Sequence, residues 1–241
     1  MEERAVQPKT IRAWLVKAMK EGEFAHLDRL PPEKVLAEHL GISRTQLRDV
    51  LAGLEREGFI TRRHGVGTII NHHVLDVANR MDIECEFMDM IRRSGYEPGT
   101  AFVQAKEGVA TATEAKQLGI EEQAPVLRVE RICTADDKPV IYCVDILAVS
   151  LIKKKYQAEE LERPIFYFLQ QYCDAVPFMD LTDIRAMVAD EALAQVLQVK
   201  EGTPILRMDE VDYDVEGNPI ICSREHFVDG VFRHTVMRKK L

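Results

Sequence analysis

An α+β fold in two parts is what this sequence predicts. Three observations predict it: two short helical patterns that meet at Gly41-Ile42 ahead of a basic, glycine-punctuated hairpin, an internal duplication pairing residues 109–145 with 188–225, and a separation of charge along the chain. The net charge of -8 argues against indiscriminate binding to nucleic acid. It is unevenly held: residues up to Leu75 carry 12 Lys and Arg against 10 Asp and Glu, whereas the rest carry 20 against 30. Only the first third can approach a phosphate backbone, so any DNA contact belongs there. No run of about eighteen apolar residues exists, and the N-terminal MEERAVQPKT is charged where a secretory signal needs an apolar core. A cytoplasmic protein without a membrane span is therefore expected. Five separate cysteines (Cys85, Cys133, Cys143, Cys173, Cys222) show neither the spacing of zinc ligands nor a disulfide framework, and are expected as reduced, mostly buried thiols.

Taken in order, Ile11, Leu15, Ala18 and Met19 recur at three- and four-residue spacing, the stripe of an amphipathic helix from about Pro8 to Gly22. Pro31-Pro32-Glu33 opens a second helix, proline suiting the first turn and the carboxylate facing its positive end. Val35, Leu36 and Leu40 form its apolar side, and Gly41 ends it. Ser43 is placed to cap a third helix, whose inner stripe is Leu47, Leu51 and Leu54 and which stops at Gly58. Arg44 and Arg48 share the opposite face, with Thr45 and Gln46 in the same first turns. Such a face suits a major-groove reader, because arginine can grip guanine bidentately; it equally suits an ordinary solvated helix. Phe59-Ile60-Thr61 and Thr68-Ile69-Ile70 then read as short strands joined by Arg62-Arg63-His64-Gly65-Val66-Gly67. Positive charge at a tight turn favours the first alternative, a winged helix-turn-helix whose wing meets the DNA backbone or minor groove.

The string LPPEKVLAEHLGISRTQLRDVLAGLEREGFITRRHGVGT resembles the DNA-binding domain of the GntR family of bacterial transcription regulators, and the likeness extends over roughly residues 8–71. In that family a proline-led second helix carries a basic residue, the third helix opens on Ser-Arg-Thr with a second arginine four positions on, and the wing tip is a His/Gln-Gly pair. The resemblance implies DNA contacts by Lys34, Arg44, Thr45, Arg48, His64 and Gly65, with Gln46 as a further candidate. Pro32 stands where the family has serine and Lys34 where it has arginine, which exchanges a planar fork for a point charge.

Residues 72–82 read as a polar linker, whose His72 and His73 lack the neighbours of a metal site. A helix is expected over Ile83–Arg93, with Ile83, Phe87, Met90 and Ile91 on one side. Beyond it Pro125 falls on Pro204 and Pro139 on Pro219, offsets of 79 and 80, so one residue is inserted in the second turn. Each copy reads as a short helix, a strand, a turn (Asp136-Asp137-Lys138, Glu216-Gly217-Asn218) and a second strand. Two such units can pair into one antiparallel sheet with helices over one face. Between them lie Lys153-Lys154-Lys155 and an aromatic helix from about Pro164 to Cys173.

Strand alternation places Leu127, Val129 and Arg131 on one face, Leu206, Met208 and Glu210 on the matching face, and Ile141, Cys143 and Asp145 in correspondence with Ile221, Ser223 and Glu225. Arg131, Asp145, Glu210, Ser223 and Glu225 then converge between the copies. They form the polar centre of a small-molecule pocket, or strand ends meeting solvent, or a structural bridge between Arg131 and Glu210. LRVERICTADDKPVIYCVD, PIFYFL and ILRMDEVDYDVEGNPIICS with VDGVFRHTVMR after it are similar to the UTRA effector-binding domain of the HutC subfamily of GntR regulators, whose fold is like that of chorismate lyase. The likeness spans roughly residues 80–238. It implies a small-metabolite effector and adds Tyr167 of the aromatic helix to the effector-binding candidates. Of the residues that commonly contribute in phosphosugar-binding members, Arg131 matches the first strand arginine, but Cys133 stands at the second and Cys143 at the glutamate. Those replacements argue against a phosphosugar.

The expected protein has a winged helix-turn-helix over 1–71, a linker over 72–82 and an effector-binding and dimerisation domain over 83–241. It acts as a homodimeric, ligand-responsive repressor on a pseudo-palindromic operator in double-stranded DNA. The alternatives are a dimeric DNA-binding adaptor without effector and a lyase-like enzyme. For the enzyme no nucleophile-base constellation or phosphate loop is evident, since Gly65 and Gly67 belong to a hairpin. No catalytic residue, metal or cofactor is expected. The excess of carboxylates in the pocket favours a ligand with amine or hydroxyl groups.

Overall fold

The computed structural model describes residues 7–239, in two compact units: residues up to Ile83 together with those from His234 onward, and Glu84–Arg233. Residues 1–6 and 240–241, which the expected domains include, lie outside the described residues. In the first unit α1 (Pro8–Lys20), α2 (Glu33–Leu40) and α3 (Arg44–Arg56) precede a hairpin of β1 (Ile60–Arg63) and β2 (Gly67–Ile70). Ile11, Leu15 and Met19 of α1, Leu36 and Ala37 of α2, and Leu47, Val50, Leu51 and Leu54 of α3 are buried in one core. Val35, expected on the apolar side of α2, is instead 51% exposed. It lies about 100° around the helix from Leu36, away from Ala37, and a helix this short buries a single stripe. Ser43 caps α3 as expected, its hydroxyl accepting the Gln46 N–H at 3.1 Å.

The stretch expected as a linker is folded. α4 (His72–Leu75) buries Val74 and Leu75 in the same core, His72 Nε2 lies 2.9 Å from the Leu27 carbonyl, and β3 (Asn79–Arg80) pairs in parallel with the last strand, β10 (His234–Thr235). Met237, beyond that strand, packs on the core. Lys239 Nζ donates to the carbonyls of Glu55 at 2.6 Å and Arg56 at 2.8 Å, where a cation meets the negative end of α3. The C-terminal residues, expected in the effector domain, thus fold with the first unit, through a pairing between positions more than 150 residues apart. No local period reports such a contact.

The second unit contains α5 (Phe87–Arg93), β4 (Pro98–Val109), α6 (Ala112–Leu118), β5 (Pro125–Ala135), β6 (Lys138–Ala148), α7 (Ile165–Tyr172), β7 (Met179–Val188), α8 (Glu191–Leu197), β8 (Pro204–Tyr213) and β9 (Pro219–Val228). Its six strands form one antiparallel sheet in the order β4-β5-β6-β9-β8-β7. The duplication is larger than expected, because each copy also begins with a strand, β4 or β7. The copies join at β6 and β9, where Cys143 opposes Glu225 and Asp145 opposes Ser223 about a pseudo-twofold. The first hairpin turns on Asp136 and Asp137, at φ 48 and 64, a region aspartate tolerates better than most residues. Opposite Pro139 and Pro219, which lack an N–H, both copies bulge at the same place, after Cys133 and after Asp212. α6 and α8 pack on one face of the sheet, against Val126, Ile146 and Cys222 and against Ile205. α7 covers Leu127, Val129 and Leu147 on the other, so helices cover both faces rather than the single one expected. Among the described residues, no helix is long and apolar enough to cross a membrane.

Candidate nucleic-acid interface and effector site

The cap at Ser43 starts α3 so that Arg44, Thr45 and Arg48 are exposed, with Gln46 half-buried beside them. Arg48 Nε donates to Glu33 Oε2 at 2.8 Å, which ties the first turn of α2 to the outer face of α3. Lys34 and Arg44 line one shallow depression with Glu38 and Gly41. His64 and Gly65 stand exposed at the hairpin tip, where Gly65 takes φ 74. The tip is braced from behind: Arg29 donates to the Val66 carbonyl at 3.0 Å, and Arg62 Nε donates to Glu55 Oε2 on α3 at 2.7 Å. Arg62 is thereby committed to holding the hairpin, while Arg63 beside it is exposed.

On the sheet of the second unit, cross-strand register sets Val129, Asp145, Ser223, Glu210 and Thr182 in one row, and Arg131, Cys143, Glu225, Met208 and Ile184 in the next. Directly opposed residues point to the same side, so five of the six expected effector residues share one face. Arg131, 4% exposed, bridges Asp145, 2% exposed, at 3.1 Å. The bridge to Glu210 weighed from sequence is not formed, because Asp145 stands one strand away and Glu210 three. The other terminal nitrogen of Arg131 donates to the carbonyls of Leu161 and Arg163, at 3.0 and 3.1 Å. Asp145 in turn accepts from Ser223 Oγ at 2.9 Å and Cys143 Sγ at 3.2 Å. Tyr167 is the exception. Its ring lies under the Arg163 guanidinium at 4.6 Å, and no hydrogen bond among the described residues joins it to the cluster.

Three carboxyls that sequence reading missed, Glu84, Asp180 and Asp212, complete the cluster. The signal for Asp212 was legible: it follows Glu210 by two residues on the same strand, so both face inward. Asp180 was hidden because β7 was not recognised. Burial pushes Glu210 up to about 7 against a hydrogen bond from Thr182, and Asp180 and Asp145 add repulsion. Burial pushes Asp212 up to about 8, helped by Glu84, Glu210, Asp180 and Asp145. Glu225 is held well above the ordinary carboxylate range by burial and by Glu210, Asp145 and Asp212. Thr182 Oγ lies 3.0 Å from Glu210 Oε1 and 2.7 Å from Asp180 Oδ2. Its single proton is shared between, or alternates between, these two acceptors. Among the described residues, Asp212 Oδ1 and Arg131 Nε are buried without a hydrogen-bond partner. Among the described residues, no group of three or more His, Cys, Asp or Glu is disposed to hold a metal ion.

Comparison with known proteins matches both parts. The profile of the family described as bacterial regulatory proteins, gntR family, matches residues 8–70, and that of the UTRA domain matches residues 93–232. The HTH-type transcriptional regulator GgaR of Escherichia coli (strain K12) is 26% identical over 87% of this chain and 82% of its own. The HTH-type transcriptional repressor NagR of Bacillus subtilis (strain 168) is 23% identical over 81% and 79%. The crystal structure of the possible transcriptional regulator YydK from Bacillus subtilis aligns with a TM-score of 0.78 at 16% identity, over 97% of this chain and all of that one. That of PhnF from Mycobacterium smegmatis aligns with 0.59 at 20%, over 96% of this chain and all of that one. At such identities the structural likeness shows the fold.

Proposed function

This chain belongs to the GntR family of bacterial regulators, with a UTRA domain behind the DNA-binding one, and on that premise we propose that it is a homodimeric repressor, released by a small molecule from a pseudo-palindromic operator. The observation that carries the reading is the exposed face of α3, where Arg44, Thr45 and Arg48 stand free of the leucine stripe that anchors the helix. Arg44, Thr45, Gln46 and Arg48 enter the major groove, Lys34 takes a phosphate, and the His64-Gly65 tip lies against the adjoining backbone or minor groove. The first unit carries 16 Lys and Arg against 12 Asp and Glu, a modest positive balance, so one copy binds weakly and two half-sites are needed.

The second copy is supplied through the sheet edge. β7 is an outer strand, and Met179, Leu181, Ile184 and Val188 on it are half or more exposed. Antiparallel pairing of two copies centred on Ile184 sets Asp183 of one opposite Arg185 of the other, a complementary pair in each direction. Ile184→Lys is expected to leave monomers in sedimentation analysis; an unchanged dimer refutes this edge as the interface.

The effector site is the face that holds Arg131, Asp145, Glu210, Ser223 and Glu225. The Ser223–Asp145 hydrogen bond joins the two copies of the duplication there, so a ligand that replaces it favours one arrangement over the other. Arg48→Ala tests the DNA reading. Loss of one bidentate base contact weakens specific operator binding by roughly 10–100-fold in a gel-shift titration, with a much smaller effect on unrelated DNA. Equal losses on both DNAs sink the groove-reading role.

A further inference from the structure

We propose that the effector is an organic cation, whose ammonium group is received by Glu210, Asp212 and Glu225. The inference rests on the effector-site reading above and deepens it. It comes from comparing the two copies of the duplication position by position. In the first copy Arg131 and Asp145 form a buried ion pair. The offsets that align the copies put Glu210 at the place of Arg131 and Glu225 at the place of Asp145. The second copy therefore has two acids where the first has a base and an acid. Asp212 sharpens the contrast, since its counterpart is Cys133, a fully buried apolar residue. The fold accepts an apolar side chain at that position and does not require a carboxylate.

Charge in the rows points the same way. Arg131 is the one basic side chain in them, and Asp145 already matches it. Glu210, Asp212 and Glu225 are left with Glu84 and Asp180 nearby and no cation among their strongest charged neighbours. Asp212, 2% exposed, has a buried oxygen with no hydrogen-bond partner among the described residues. Such an orphan acceptor is costly in a protein interior unless a ligand donates to it. Glu210, Ser223, Thr182 and Asp180 are partly exposed and lie on the same face of the sheet as the buried Asp212 and Glu225, so the cluster meets solvent at its margin, where it offers hydroxyls. A bare metal ion fits less well, because the carboxyls are not disposed as a coordination shell. An ammonium group needs only three acceptors around its three hydrogens. Without ligand the cluster lowers its own repulsion by keeping protons, and a cation must expel them on binding.

The test is titration calorimetry on the full chain with putrescine, ethanolamine and glucosamine, each set against its neutral counterpart butanediol, ethylene glycol or glucose, with glucose phosphate as the anionic control. Two buffers of different ionisation heat are used at each pH. At least one amine is expected to bind while its neutral counterpart does not, to release protons, and to bind more tightly as pH rises from about 6 to about 8. Asp212→Asn and, separately, Glu210→Gln should each weaken that binding by roughly tenfold or more, with the tyrosine near-ultraviolet signal of the second unit retained. Binding of no amine, or equal binding of an amine and its neutral counterpart, overturns the proposal. If glucose phosphate binds and Arg131→Met abolishes it, the effector-site reading stands and the ammonium class falls. If nothing binds and Asp212→Asn only raises the melting temperature, the cluster is structural and both fall.

Discussion

Replacing Asp145 by Asn removes the charge from a side chain that is buried, paired and central to the sheet. The substitution keeps volume and leaves an acceptor for Ser223, so what is lost is the neutralisation of Arg131. Both partners are almost fully inside, at 4% and 2% exposure, and screening by water is small. Breaking a buried pair by removing one partner costs roughly 3–5 kcal/mol. Here the lower end applies, because Glu225, whose carboxyl burial holds well above the ordinary range, lies in the row of Arg131 and can ionise in place of Asp145. About 3 kcal/mol in a unit of this size lowers its melting temperature by roughly 6–12 °C. The assay is clean because the probes divide between the units: Trp14 is the single tryptophan and lies in the first, while all six tyrosines, from Tyr96 to Tyr213, lie in the second. Tyrosine near-ultraviolet dichroism should show the fall, and Trp14 fluorescence should not. A tyrosine transition unmoved by Asp145→Asn, or a Trp14 transition moved as far, refutes the assignment of the pair as the second unit's electrostatic centre.

Gly58 takes φ +81, and a Cβ there would overlap Met237 Sδ. Gly58→Ala is expected to lower the Trp14-reported stability by roughly 1–2 kcal/mol from backbone strain plus the clash, and by less in a Met237→Ala background; an identical loss in both backgrounds contradicts packing of the C-terminal segment on the first unit. The raised carboxyls fix the sign of a pH dependence. Folded Glu210 and Asp212 keep protons that the unfolded chain loses above about pH 4, so the folded state binds more protons across that window. Stability of the second unit should therefore fall as pH rises from about 5 to 8 and then level off, and Asp212→Asn should flatten the upper part. Glu114 and Asp209, held below the ordinary range, act in the opposite sense, but only at more acid pH. A tyrosine-reported melting temperature that climbs between pH 5 and 8 contradicts the protonation assigned to the cluster.

Much of this molecule is written in short-range patterns. The leucine stripe of α3, its serine cap and the basic hairpin are periodic or local features, and each appears in the structure where the spacing puts it. The offset between the duplicated prolines already implied the symmetric pairing, and with it the shared face of Arg131, Asp145, Glu210, Ser223 and Glu225. What escaped was of another kind. β4 and β7 are edge strands with mostly exposed side chains, so nothing forces an apolar alternation on them. Asp180 was lost with β7, although Asp212 could have been found by extending the alternation of β8 one step. The fold of His72–Arg80 against the C-terminal strand and the choice of Asp145 as the partner of Arg131 depend on segments distant in sequence meeting in space. Periodicity is imposed by one segment facing one environment, so the sequence alone determined most of the inward residues on the strongly patterned elements, α1, α3, β5, β6, β8 and β9, though not Val35 of α2 or the edge strands. Which of those inward residues touch, and which buried carboxyls are left without a cation, is set by the packing of elements against one another, and only the tertiary structure could decide it.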